Sequence, residues 1–509
     1  MQKKILFIKA SADHSEFETV SPPLGLISLA AVVAERAQWQ SQVIDTYLVE
    51  DWQQAINEAF IHFEPDVIGI SALTAESASM HRIAAFCKSI NSTTLVIAGG
   101  PHPTAYPDET LECGNVDIAV INEGEETLAE LLQHIEKEQP WQNVAGIAFR
   151  TDKEIEFSPQ RAFNFDLDRM PHPAWHLLDI EGYYKKTAMT PVYRRRYMSM
   201  MTSRGCPYRC NYCHTIQGKR FRAHSPEYIV GMVERLIKEH GIRNFEFFDD
   251  IFNWDGERLE AIMHLIINKG LDINFTFPNG LRGDRLSEEQ IDLLHKAGCD
   301  FTALAIESAV PRLQKYMKKH LDLTKIEKTI AAFAKRRIFT VGFFMVGFPT
   351  ETEEEMQQTI NFATRSKLHV AYFFTVTPFQ GTKIHEIALN ERLLESEARV
   401  YDNTYVLQKI NLSEMPDKKF FRKKKWANLL FYLQPPRMYR ILRDFKDKRL
   451  FLIRVLGFIR QTLLDKPGAY FKPLGLFREK LRRVLLKQPV ARSDANQAYR
   501  SQHASSSVN

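Results

Sequence analysis

The 509-residue chain predicts an α/β fold: an N-terminal doubly wound parallel sheet, a partial barrel of six strand–helix units, and a basic helical C-terminal region. Three observations predict it. Short apolar runs alternate with amphipathic stretches over residues 1–140, and six more such pairs span residues 196–395. From Lys418 to Lys487 there are 21 Lys/Arg against 4 Asp/Glu. That stretch carries +17 in a chain of net charge +5, so the rest is acidic by about 12 charges. A hydrophobic content of 44% is ample for more than one core.

In the first unit the expected strands are Ile5–Lys9, Val43–Tyr47, Val67–Ser71, Leu95–Ala98 and Ile118–Ile121. The expected helices are Leu24–Arg36, Trp52–Phe63, Ser77–Ile90 and Glu126–Glu136. Continuous apolar strands separated by helices belong to a parallel sheet covered on both faces. The ligand site of such a sheet lies beyond its carboxyl ends. Those ends carry Ser21-Pro22-Pro23-Leu24-Gly25, Ser71-Ala72-Leu73-Thr74, Gly99-Gly100-Pro101-His102-Pro103-Thr104 and Asn122-Glu123-Gly124-Glu125. Small residues there admit a large flat ligand, and the Ser71 and Thr104 hydroxyls can bond its edge.

Residues 141–195 read as a connector. Val144–Phe149 and Glu154–Phe157 alternate like a hairpin around Thr151-Asp152-Lys153. Met170-Pro171-His172-Pro173-Ala174-Trp175 breaks any regular element, and Arg194-Arg195-Arg196 precedes the barrel. Neither His172 nor Trp175 is assigned chemistry.

The barrel strands are expected at Tyr197–Thr202, Asn244–Phe248, Ile273–Phe277, Phe301–Ile306, Phe339–Val346 and Val370–Val376. Ser225-Pro226 and the Ser287/Gln290 capping box open two of the helices. Active-site groups of a barrel sit at the strand carboxyl ends. The first strand runs into Cys206, Cys210 and Cys213. Three thiolates at C-x3-C-x2-C spacing can hold three irons of a four-iron cluster and leave one open. Cys87, Cys113 and Cys299 all lie more than eighty residues away. The competing zinc knuckle would want a second Cys/His pair at short spacing, and adjacent His214 is poorly placed to supply it.

Later strand ends carry Asp249-Asp250, Glu307-Ser308, Gly347-Phe348-Pro349 and Thr377-Pro378-Phe379-Gln380-Gly381. Asp249 either accepts from a ligand ammonium or caps the next helix. Glu307 can bind ribose hydroxyls or an ammonium. Arg282 pairs with a ligand carboxylate or forms a surface salt bridge.

With Tyr212 just before the last cysteine, the triplet resembles the radical S-adenosylmethionine (SAM) enzymes. The sheet loops, through Ser71–Leu73 and Gly99–Gly100, resemble the cobalamin-binding domain that precedes many radical SAM domains. The resemblance implies a 4Fe-4S cluster on Cys206, Cys210 and Cys213. It implies SAM contacts at Tyr212, Asp249, Glu307, Ser308, Gly347 and Pro378. It implies cobalamin contacts at Pro23, Leu24, Ser71, Leu73, Gly99, Gly100, His102, Thr104, Glu123 and Gly124. One motif departs: the Asp-x-His-x-x-Gly loop of cobalamin-dependent mutases is replaced by Ala10-Ser11-Ala12-Asp13-His14, so no histidine is expected beneath cobalt.

The implied reaction is hydrogen abstraction by a 5′-deoxyadenosyl radical, then methyl transfer from methylcobalamin to an unactivated carbon. Radical cyclisation or rearrangement, as in anaerobic magnesium-protoporphyrin monomethyl ester cyclase, is the alternative; a non-catalytic cobalamin or iron–sulfur sensor is another. The implied partners are a small-molecule or lipid-like substrate and a flavodoxin- or ferredoxin-type electron donor.

Residues 396–489 include basic segments expected to be helical at Arg440–Arg449 and Leu452–Leu464. They read as helices with a solvated basic face, or as an attachment to anionic lipid. A nucleic-acid partner is not expected, since no recognised RNA module is present. Residues 490–509 are expected to be disordered. Unpaired cysteines, an apolar run too short for a signal peptide and the absence of a spanning segment place the chain in the cytoplasm, with peripheral membrane contact open.

Overall fold

The computed structural model describes residues 2–11, 21–152, 154–186, 190, 196–214, 216–394 and 410–446. Asp13-His14, Arg194-Arg195, the expected 452–464 helix and the tail from residue 490 lie outside them.

Strands β1 (Lys4–Lys9), β2 (Gln40–Asp45), β3 (Val67–Ser71), β4 (Leu95–Gly99) and β5 (Ile118–Val120) are parallel, in the order β2-β1-β3-β4-β5. Alternation along β1 splits its apolar residues between two cores. Ile5 and Phe7 pack with α1 (Leu24–Arg36), and Leu6 and Ile8 pack with α2 (Trp52–His62) and α3 (Ser77–Ile90). Burial on both faces is why these strands read as unbroken apolar runs. After β4 come two short helices, α4 (Pro101–Ala105) and α5 (Pro107–Glu112); α6 (Glu125–Glu136) follows β5 and packs beside α1.

In the first sheet, one expected strand and the sheet's limit move. β2 starts at Gln40 and ends at Asp45, rather than spanning Val43–Tyr47. It is an edge strand pairing only with β1, so Gln40, Ser41 and Gln42 need no apolar side chains. The connector hairpin, β6 (Ile147–Arg150) and β7 (Ile155–Phe157), adds antiparallel to β5 and makes a seven-stranded sheet that runs past residue 140. α7 (Ile180–Tyr184) closes the connector, with Tyr183 Oη donating to Asp45 at 2.6 Å.

The second sheet is β8 (Tyr197–Met200), β11 (Asn244–Phe247), β12 (Asn274–Leu281), β13 (Cys299–Glu307), β14 (Phe339–Val346) and β15 (Val370–Thr375). All six are parallel and neighbours in that order. A two-residue pair, β9 (Ser203–Arg204) and β10 (Arg222–Ala223), stands at its mouth. The barrel helices are α8 (Pro226–His240), α9 (Gly256–Asn268), α10 (Glu288–Lys296), α11 (Pro311–Tyr316), α12 (Leu323–Lys335), α13 (Glu353–Arg365) and α14 (Lys383–Asn390). Both expected caps form: Ser225 Oγ accepts from the Tyr228 N–H, and Ser287 and Gln290 bond reciprocally.

α15 (Asp417–Tyr432) buries Phe420, Ala427 and Phe431 against the barrel, and Lys419 and Lys423 pair with Glu353 of α13. α16 runs Pro435–Asp444, not 440–449, because Pro435 supplies a helix start. Its Arg437 is fully buried, lies 3.4 Å over the Phe431 ring and donates to the last carbonyls of α13. This part of the basic region is packed. Among the described residues no helix is long and apolar enough to cross a membrane.

Candidate functional site

The cysteine loop hangs between β9 and β10, whose pairing sets Arg204 opposite Arg222. Gly205 adopts φ +78°, and a Cβ there would fall 2.4 Å from the Arg220 carbonyl, so only glycine fits this entry. Buried Asn211 anchors the loop. Its N–H donates to the Met317 carbonyl at 3.1 Å, its side chain to Tyr316, and its carbonyl accepts from Ile384. The Cys206, Cys210 and Cys213 thiols are free and partly exposed. Burial pushes the Cys213 thiol up to about 11; charge on Cys210 and Cys206 adds to that, and Lys219 opposes it. Cys206 is raised by burial, with charge on Asp250 and Cys210 adding to it and the Tyr208 backbone and Lys219 opposing.

At the end of β13 the register slips between Ala305 and Glu307, and Glu307 sits at φ +64°. That bulge aims its carboxylate at the cysteine loop. Tyr212 Oη donates to Glu307 Oε1 at 3.3 Å, and Lys319 Nζ reaches the same oxygen at 2.9 Å and the Tyr212 Oη at 3.3 Å. Arg282 supports this group from below. It donates to the Lys319 carbonyl, pairs with Asp284 and lies 3.7 Å over the Tyr208 ring, so its carboxylate is the protein's own.

Asp249 holds the approach to the cysteine loop. Its Oδ1 accepts from the Thr202 N–H and Oγ1 and from Ser203 Oγ at 2.6 Å, while buried Oδ2 has no partner. The next helix is capped by Asp255 instead. Ser308 is turned into the fold, against Thr359 and the Val310 N–H. Gly347 has φ +90° and lies against the Phe420 ring. Its N–H donates to fully buried Glu351, whose carboxyl burial pushes up to about 7. Pro378 lies in the loop between β15 and α14.

In the N-terminal sheet, Gly100 takes φ +98°; a Cβ would lie 3.0 Å from Ser71 Oγ and 3.2 Å from the Ala72 carbonyl. Ser71 and Gly99 end adjacent strands, and Leu73 is exposed beside them. Pro23 and Leu24 open α1, and Thr104 Oγ1 accepts from the Asn122 N–H. His102 lies beside His81 and Glu109. It is fully buried, neither ring nitrogen has a partner, and burial pushes its imidazole down to about 4. Gly124 packs against Leu29. Glu123 is taken up by ion pairs with Arg204 (3.2 Å) and Arg222 (2.7 Å).

Residues 200–363 match the family model of the radical SAM superfamily, and residues 12–132 that of the B12 binding domain. An uncharacterized methyltransferase of Pyrococcus horikoshii is 31% identical over 449 residues, covering 87% of this chain and 94% of the relative. The chain belongs to the radical SAM enzymes that carry a cobalamin-binding domain. The cytidylyl-2-hydroxyethylphosphonate methyltransferase of Streptomyces wedmorensis is 26% identical over 82% of this radical SAM chain and 87% of its own length. The cobalamin-dependent SAM radical enzyme OxsB, solved with aqua-cobalamin and SAM, shares the fold at TM-score 0.71 and 16% identity, over 98% of this chain and 83% of that one.

The cofactors of this radical SAM enzyme are a 4Fe-4S cluster, SAM and cobalamin. Its residues fit them. Three thiols share one loop and would repel each other as bare thiolates, which a cationic cluster offsets. Cys87 and Cys299 are buried in cores and Cys113 ends α5, so no fourth cysteine joins them. Enzymes of the family act on small molecules and need a reductant.

Lys319, Asn211, Arg204 and Arg222 are not picked out from the sequence, and Glu125 only as part of the loop after β5. Lys319 lies within Lys318-Lys319-His320, which reads as a charged surface turn. Arg204 Nη2 donates to Glu125 at 2.5 Å; with the Glu123 pairs, this ties the cysteine hairpin to the loop after β5. The two basic residues on paired strands of one loop, and Glu-x-Glu after a sheet strand, were the only signals.

Proposed function

We propose that this enzyme transfers a methyl group from SAM, by way of cobalamin, to a carbon that acid–base chemistry does not activate. The observation that carries the reading is the Arg204/Arg222–Glu123/Glu125 clamp, which sets the cysteine loop against the carboxyl ends of the N-terminal sheet. When bound, the cluster supplies single electrons that split the SAM sulfonium, and cobalamin supplies a carrier for its methyl group.

The chain's own work is to bind and orient. Cys206, Cys210 and Cys213 hold three irons. Lys319, a buried cation beside Glu307 and Tyr212, would take the SAM carboxylate, and Glu307 would accept from its ammonium or ribose hydroxyls. Gly99, Gly100 and exposed Leu73 make a flat seat for the corrin ring.

Phe343, Tyr372 and Phe374 group on the face of β14 and β15 opposite Phe344 and Phe373, with ring centroids 5.8–6.2 Å apart. Their half-buried surface suits a flat or apolar small substrate, lipid-like ones included. A flavodoxin- or ferredoxin-type protein would deliver electrons. Exposed Trp426, Leu430, Leu433 and Tyr439 among the lysines and arginines of α15 and α16 support a contact with anionic lipid. Flotation with phosphatidylglycerol vesicles checks that contact, and no binding would remove it.

The test of the reaction uses SAM carrying a deuterated methyl group, added under reductant to anaerobic, cobalamin-loaded protein. Label recovered on the corrinoid supports methyl transfer. Retained cobalamin without label points to the cyclisation or rearrangement alternative.

A further inference from the structure

The N-terminal unit holds a second group of donor atoms, away from the cysteine loop. His81 on α3, His102 on α4 and Glu109 on α5 each bring one ligand atom within 4.8 Å of the others. Three separate helices supply them, so the convergence is tertiary. Cys113, at the end of α5, sets its Sγ 3.1 Å from His81 Nδ1.

The independent observation is His102. It is 0% exposed, and both ring nitrogens lack a hydrogen-bond partner. Buried polar atoms are nearly always satisfied, and each exception needs a cause, such as an ion. The backbone leaves His102 no choice of position. Its N–H is bonded to the Ala72 carbonyl, and only Pro101 separates it from the Gly99-Gly100 turn. The ring therefore enters the space that His81 and Glu109 also reach.

We propose that His81, His102 and Glu109 bind a zinc ion. Two imidazoles and a carboxylate are zinc donors, and a thiol beside one of them offers a fourth. Hard cations such as magnesium or calcium would instead call for oxygen donors throughout. The ion would clip α3, α4 and α5 together at the root of the Gly99-Gly100 turn. It lies on the α2–α3 face of the sheet, opposite α1 and α6. Its role is to fix that turn rather than to take part in the chemistry.

The cluster cysteines would also take up zinc if empty, so the test uses cluster-loaded, full-length protein. It is equilibrated with micromolar zinc, desalted anaerobically, and assayed for zinc and iron on the same sample by mass spectrometry. The wild type should retain one zinc per chain beside four irons. His102→Ala should lose that zinc, and because it opens a buried site it is paired with His81→Ala and Glu109→Gln at partly exposed positions. Those two should keep four irons and drop zinc at least tenfold, with a Tm that no longer rises when zinc is added. Wild-type protein with four irons and no zinc would overturn the proposal, leaving a buried water as the partner of His102. Unchanged zinc in both His81→Ala and Glu109→Gln would overturn it equally.

Discussion

Arg204, two residues ahead of Cys206, donates to the Glu125 carboxylate at 2.5 Å, with 15% and 7% of the two side chains exposed. Burial alone would raise the Glu125 carboxyl, yet the Arg204 guanidinium, with a backbone N–H and Arg222, offsets it and holds it below its ordinary value. Removing one partner of such a pair strands a buried charge and costs about 3–5 kcal/mol. Arg204→Met strands the buried Glu125 carboxylate and is expected to lower Tm and loosen the cysteine hairpin from the sheet, whereas Glu125→Leu, which leaves Arg204 its Glu123 partner, should cost less. Arg204→Met with Glu125→Leu should recover most of that loss. Thermal unfolding of the two single variants and the double variant checks this; additive losses would show that the pair is not coupled.

Lys319 should matter to SAM and not to iron. A hydrogen bond to a charged group contributes about 1.5–3 kcal/mol, so Lys319→Ala is expected to weaken SAM binding about 10- to 100-fold. Iron content should stay at wild-type level, because no cysteine is touched. Equilibrium dialysis with labelled SAM beside an iron assay reads both. Equal loss of iron would mean that Lys319 only holds the loop together.

Gly100 and Gly114 separate close approach from backbone strain. Both have positive φ, but a Cβ at Gly100 meets Ser71 and Ala72, while at Gly114 nothing lies within 4 Å. Gly100→Ala should therefore cut cobalamin retention after gel filtration at least tenfold. Gly114→Ala should carry only a strain cost of about 1 kcal/mol and retain cobalamin. Retention by both variants would remove Gly100 from the corrin seat.

Glu351 gives a pH dependence with a definite sign. Burial raises its folded value from 4.5 to about 7, so folding favours its protonated form. That contribution is complete below pH 4.5 and is lost as pH rises through about 7. Glu351→Gln keeps an acceptor for the Gly347 N–H and removes the buried charge. It should be more stable than wild type at pH 8, by about 2–3 kcal/mol at most, and no more stable at pH 4. Denaturant unfolding at the two pH values measures this, and a constant difference would refute it.

What could be read from the chain follows from burial. β1, β3 and β4 are covered on both faces, so each is an apolar run, whereas edge strand β2 starts three residues earlier than its apolar part. The cysteine triplet is contiguous and its spacing was legible. Lys319 was not, because the bulge at Ala305/Glu307 makes its partner and only the folded barrel brings Tyr212 beside it. Expected contacts at Ser308, Glu123 and His102 have the right position but other duties. Ser308 bonds Thr359, Glu123 bonds two arginines, and His102 is turned inward. Spacing places a residue at a strand end; it does not say which way its side chain turns.

The most direct test of the central claim is anaerobic turnover by full-length protein loaded with cluster and hydroxocobalamin, given only SAM and dithionite, with products read by mass spectrometry. The account predicts reductant-dependent 5′-deoxyadenosine together with S-adenosylhomocysteine in proportion to bound cobalamin, and loss of the deoxyadenosine in Cys210→Ala. Deoxyadenosine without S-adenosylhomocysteine from cobalamin-loaded protein, or wild-type SAM cleavage by Cys210→Ala, would contradict it.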